Sequence, residues 1–244
     1  MLANSAAASC RPRCARVQRP SPAAAAASAT AAARRPAPRR RAAVRAAGSA
    51  PGRLQRVLDA IDALNAKDPR STAWRGEEEL PYELAYSRWL SDWVARLEAA
   101  PSEELRIAAR GQHVERWKSP RSSYPEGRAG YLKWRADLKR AHADTVAALM
   151  AAEGYEEAPV ARVRRLINKL DLKTDPENQV LEDALCLVFL EHQFTELIEK
   201  EGADKMVDIV QKTWGKMGER GRAAALKLPL SEAEAAVVQR ALAG

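Results

Sequence analysis

Residues 175–192 read DPENQVLEDALCLVFLEH, and their reading decides the fold class. Asp175, Pro176 and Glu177 make a helix start. A carboxylate can take the orphan N–H groups of the first turn, and proline follows where a missing N–H costs nothing. From Ala184 to Leu190 seven successive residues are apolar. A helix with no polar face is expected to be buried nearly all round. Outward from it the 3.6-residue period recurs, and the two-residue alternation of strands does not. Leu54, Val57, Leu58, Ile61 and Leu64 form one stripe, ended by Asp68 and Pro69. Leu84, Trp89, Trp93, Val94 and Leu97 form a second, closed before Pro101. Further helices are predicted over residues 102–118, 131–152, 159–170, 175–200 and 203–217, with a last one behind the capping box at residues 231–234. Residues 119–130 read as a loop, and the expected fold is all-α.

Residues 1–50 are of another kind, with twenty alanines, ten arginines and no aspartate or glutamate. That composition is typical of segments that stay unfolded for organelle import, so residues 1–50 are expected to be a disordered transit peptide. Chloroplast is favoured over mitochondrion because Val44-Arg45-Ala46-Ala47 resembles a plastid cleavage context. A basic tail for nucleic acid is the alternative. The whole chain is +8, so residues 51–244 sum to −2 and the high isoelectric point belongs to the leader. Residues 51–79 are expected to be an N-terminal helix and linker, and residues 80–244 a single all-helical domain. Cys10 and Cys14 fall in the leader, leaving Cys186 alone in an apolar run, which excludes a disulfide framework or a cysteine metal site. No run approaches eighteen apolar residues, so no membrane partner is expected.

Several polar residues are predicted to face inward. Leu105, Ala109, His113 and Trp117 share one helical stripe; Leu138, His142, Val146 and Leu149 share another. Asp183 shares a face with Val180, Ala184 and Leu187, where a carboxylate is costly unless it meets a cation, a metal or several donors. Two imidazoles and a carboxylate are an N,N,O set for one divalent metal, Mn, Fe, Mg or Zn. Packing histidines, with Asp183 paired to an inward arginine or to Lys169, would explain the same pattern. His192 lies nine residues beyond Asp183, on the opposite face. From Arg106 to Arg140 ten basic residues face only Glu115, Glu126 and Asp137, a segment of +7. Charge segregated around a Ser/Gly/Pro loop suits phosphate, with Arg116, Arg121 and Arg135 as contacts. Tyr124 and Tyr131, beside Trp117 and Trp134, could stack a base. A solvated basic face over aromatic core anchors is the plainer alternative.

Three long runs carry a resemblance: GQHVERWKSPRSSYPEGRAGYLKWRADLKRAHAD at 111–144, LINKLDLKTDPENQVLEDALCLVFLEHQF at 166–194 and KTWGKMGERGRAAALKLPLSEAE at 212–234. Over residues 80–243 the chain resembles a plant and bacterial domain family of unknown function, family 4202. Some of its members carry a glutamyl-tRNA synthetase or amidotransferase label. The sequence supports neither, having no parallel-strand nucleotide fold and no Ser/Gly-rich nucleophile region. More distantly, His113, His142 and Asp183 follow the chain order of the ligands in the HD metal-dependent phosphohydrolases, which are all-α. That resemblance implies a metal on His113, His142 and Asp183, Glu182 as a neighbouring base, and Lys169 on the substrate phosphate. Two residues depart from the HD pattern: Ala143 where an aspartate follows the second histidine, and Lys169 where many relatives carry another histidine.

The expectation is therefore an all-α, HD-like domain behind a disordered leader. Its expected activity is metal-dependent hydrolysis of a nucleotide or small phosphorylated molecule, with Glu182 and Lys169 in catalytic roles. The alternative is a non-catalytic helical module that binds a nucleotide or RNA.

Overall fold

The computed structural model describes residues 52–75 and 78–243; the expected leader lies outside them. The described chain runs α1 (Arg53–Asn65), a hairpin of β1 (Ser71–Ala73) and β2 (Glu79–Pro81), α2 (Tyr82–Leu97), α3 (Glu103–Gly111), α4 (Gly127–Ala152), α5 (Glu157–Asn168), α6 (Pro176–His192), α7 (Phe194–Glu201), α8 (Ala203–Trp214), α9 (Glu219–Ala225) and α10 (Glu232–Ala243). It is an all-α domain. The hairpin is antiparallel, with Thr72 opposite Leu80. No described helix is long and apolar enough to cross a membrane.

The centre is α6, and its middle is buried as its apolar run leads one to expect. Asp175 caps it, accepting from the N–H groups of Glu177 at 3.1 Å and Asn178 at 3.4 Å. The same carboxylate receives both Arg162 amino groups from α5, and this pairing holds its pKa below the usual carboxylate value. Leu181, Ala184, Leu187 and Val188 are wholly excluded from solvent. α2 and α9 pack on α6, and α3 and α5 also touch it. α1 packs on α2, α3 and α4 with Val57 and Ile61 fully buried, so it belongs to the core.

Four boundaries differ from the periodic reading; one is the start of α4, which begins at Gly127 inside the stretch expected as a loop. α6 stops at His192 instead of near Lys200, where its end is tied to α2. Trp93 Nε1 donates to Glu191 at 2.6 Å, and Gln193 Nε2 to the Tyr82 hydroxyl at 2.5 Å. α3 stops at Gly111, so His113 sits in the turn beyond it and not on a helical stripe. Glu115 is left-handed there (φ 55°), a conformation no α-helix continues through, and its N–H donates to Asn65 Oδ1 of α1 at 3.1 Å. The helix expected to end at Met217 ends at Trp214, and a separate short helix, α9, follows.

Asp183 docks that short helix. Its Oδ1 accepts from the Gly218 N–H at 2.7 Å and from Gln179 Nε2 at 2.8 Å. Gln179 also donates to the Lys216 carbonyl at 2.9 Å. Gly221 lies flat on the carboxylate, so that a Cβ there would come within 2.5 Å of Asp183 Cγ. The substitution Gly221→Ala must push α9 away or strand a buried carboxylate. It is expected to lower unfolding free energy by about 1–3 kcal/mol, read from the midpoint of urea denaturation. An unchanged midpoint would mean that α9 contributes no stability through Asp183.

Candidate functional site

Gly111 lets the end of α3 close on α4: a Cβ there would lie 2.3 Å from Val146 Cγ2. This approach brings the His113 and His142 rings to 6.0 Å between centroids, tilted by 43°. His142 is 3 % exposed, and its Nδ1 stands 2.8 Å from the Val114 carbonyl. A carbonyl oxygen only accepts, so Nδ1 carries the proton and Nε2 keeps its lone pair. Burial lowers the pKa of His142 to about 4. Its Nε2 is buried and meets no partner among the described residues. His113 stacks on Tyr86 at 4.3 Å, with Nδ1 3.9 Å from Glu83 Oε2. Burial, with the charge of Arg116, holds His113 well below its ordinary pKa. Glu83 accepts from Arg70 at 2.9 Å, and its own burial raises it to about 7.

The two imidazoles face a cavity of about 50 Å³, walled also by Gln112, Arg116, Arg135, Lys139 and Lys169. The guanidinium of Arg116 lies 4.9 Å over the Trp134 ring. Neither it nor the Lys139 ammonium makes a side-chain hydrogen bond or ion pair among the described residues. Burial, then the charges of Lys169 and Arg135, lower the pKa of Lys139. Lys169 follows α5 in the left-handed conformation (φ 57°), the position that usually takes glycine. The turn is closed by bonds from the Lys169 N–H to Leu166 O and the Leu170 N–H to Arg165 O, and it aims Lys169 at the cavity and at Glu182, with which it pairs. Arg135 donates to the Tyr131 hydroxyl at 3.1 Å. Arg135 and Lys139 also line an open groove beside the cavity, where Tyr131, Leu132 and Leu170 are exposed.

The structure thus gathers His113, His142, Arg116, Arg135 and Lys169, and sets Tyr131 beside them in the groove. It sends the other expected site residues elsewhere. Asp183 binds α9, and Glu182 is taken by Lys169. Arg121 spends its guanidinium on the carbonyls of Tyr124 and Pro125, both at 2.9 Å. The Tyr124 hydroxyl reaches Asp137 at 3.3 Å. His192 stacks on Trp89 at 4.0 Å, outside this cavity. Among the described residues no three His, Cys, Asp or Glu side chains are grouped to hold a metal ion. The HD ligand set does not fit, because its carboxylate is committed to α9 and the cavity that holds its imidazoles is ringed by cations that repel another. Sequence reasoning missed Gln112, Lys139 and Glu83. Lys139 had a signal, one turn before His142 on the same face. Gln112 and Glu83 had none, since their positions depend on the turn after α3 and the packing of α2.

The chain matches the model of a domain family of unknown function, DUF4202, over residues 55–238. It belongs to that family. The match begins in α1 and reaches into α10, so the family domain takes in the hairpin and nearly all of the helices described. No match is found among curated proteins or among solved structures.

The histidines make the site sensitive to pH. With a folded pKa of about 4 for His142, the unfolded chain takes the proton first. The stability this group contributes is complete above about pH 6.5, the unfolded value, and is lost as pH falls toward 4. His113 acts with the same sign. Glu83 acts oppositely: it takes up a proton on folding, and its contribution disappears as pH rises through about 7. Nitrogen-15 NMR is expected to show His142 as the neutral Nδ1–H tautomer at pH 6, with protonation only near pH 4. Denaturant midpoints should fall over the same range, with Glu83 offsetting part of the loss. A ring titrating near 6.5 would contradict the buried lone pair.

Proposed function

We propose that this chain binds a phosphorylated small molecule or nucleotide, with the phosphate in the cavity and the organic part along the groove. The observation that carries this reading is a pair of half-buried cations that make no side-chain hydrogen bond or ion pair among the described residues, Arg116 and Lys139, beside Arg135 and Lys169; Glu83 and Glu182 act on them only from beyond ion-pair distance. Partly buried like charges destabilise one another unless an anion joins them, and a phosphate monoester brings about one to two negative charges, according to whether it keeps its last proton, with several oxygens to share among the cations. Exposed Tyr131 offers a face for a base at the mouth of the cavity, a contact worth about 1–3 kcal/mol where it forms.

Binding without a metal is the version that the geometry favours. Metal-dependent hydrolysis on the set that the HD resemblance implied needs Asp183 beside His113 and His142, and Asp183 faces α9; the carboxylate that does stand beside His113, Glu83, is held by Arg70. RNA is a second reading, supported by the openness of the groove and by Arg140 on its wall. A phosphate backbone tracking the groove would give a steep dependence of affinity on salt, and a single phosphate a shallow one. Residence in the chloroplast is proposed on the composition of residues 1–50.

Calorimetric titration with adenosine monophosphate tests the reading. Arg116→Met and Lys139→Met are each expected to weaken binding about tenfold, or about 1.4 kcal/mol. Arg121→Met should leave affinity unchanged, because that guanidinium holds loop carbonyls. An equal loss in all three variants would mean that general positive charge, and not the cavity, binds the ligand.

A further inference from the structure

The cavity presents more than positive charge. Two acceptors, His142 Nε2 and Gln112 Oε1, are buried without partners among the described residues, and both residues line the cavity. Their identities are fixed by what their other atoms do. His142 Nδ1 donates to Val114, and Gln112 Nε2 donates to the Ile167 carbonyl at 3.3 Å, which leaves Oε1 as the free end. His142 is 3 % exposed and Gln112 4 %, so neither acceptor faces open solvent. A buried acceptor left without a donor costs about 1–3 kcal/mol.

What could satisfy two lone pairs inside a ring of cations? A metal ion would, but the arginines and lysines repel it. A fully deprotonated oxyanion would satisfy the cations and set its oxygens against the lone pairs. An oxyanion that keeps a proton satisfies both, donating O–H to the acceptors and offering its bare oxygens to the cations. The space is the right size, since about 50 Å³ is roughly four times what one water-sized atom occupies.

We propose that the cavity selects a phosphate group that still carries a P–OH. In this arrangement His142 Nε2 accepts the P–OH proton, Gln112 Oε1 flanks it, and Arg116, Arg135 and Lys139 hold the unprotonated oxygens. The inference rests on the phosphate reading above and deepens it, by specifying the protonation of the bound group. No bond to phosphorus is made or broken.

Inorganic phosphate and sulfate separate the two levels. They have the same shape and similar charge at pH 7, but phosphate keeps a P–OH and sulfate has no proton to donate. The full chain is titrated with each by calorimetry at fixed ionic strength. Phosphate is expected to bind about tenfold tighter than sulfate or more, the value of one buried hydrogen bond to the oxyanion. His142→Phe keeps a ring and removes the lone pair, and should bring the ratio to about one. Gln112→Met provides a second variant, expected to reduce the ratio, should the ring substitution not fold. Sulfate binding as tightly as phosphate in the wild type would overturn the P–OH inference and leave the phosphate site standing. Selectivity that survives both substitutions would also overturn it. Binding of neither anion would remove the phosphate site itself, and this inference with it.

Discussion

The middle of α6 is buried nearly all round and leaves no solvent face for the acids it carries, and the fold depends on how α6 meets that constraint. Asp175, Glu182 and Asp183 must each find a partner inside the protein, and each partner is a different piece of the chain. Asp175 takes Arg162 and fastens α5 to the start of α6. Glu182 takes Lys169 and fixes the turn that leaves α5. Asp183 takes the Gly218 N–H and seats α9. Of the three, Lys169–Glu182 is the buried ion pair, where losing one partner costs about 3–5 kcal/mol; the other two act as joints through hydrogen bonds to the Arg162 guanidinium and to the Gly218 N–H.

The same constraint shapes the cavity. The end of α3 and the middle of α4 approach closely only because Gly111 has no Cβ to meet Val146. That approach removes His142 from water and, through the Val114 carbonyl, fixes which nitrogen keeps its proton. The imidazoles are then neutral in a wall whose charged members, Arg116, Arg135, Lys139 and Lys169, are all cations. The balance of neutral acceptors and unpaired positive charge is what gives the site a preferred ligand chemistry. Its supports are local strains: Glu115 and Lys169 both stand in the left-handed conformation at the turns that place His113 and the Lys169 ammonium.

Much of this was legible in the residues. Helical period, the Asp175 cap and the apolar run from Ala184 to Leu190 sufficed for an all-α domain with a buried α6, because burial and capping are local demands that each segment states for itself. His142 on its inward face and the basic segment of Arg116 and Arg135 were legible for the same reason, as a face and a charge density, whereas His113 was expected on a stripe and is placed by the turn after α3. Tertiary structure decided the rest. An aspartate in a buried stripe declares that it needs donors and is silent on which, so Asp183 could be expected on a metal and is found on the backbone of α9. Arginines in a basic run look alike until a loop claims one of them, as carbonyls claim Arg121. Periodicity states that a residue points inward; only the packing of distant segments determines which inward residues meet, because long-range contacts are made between faces and not within them.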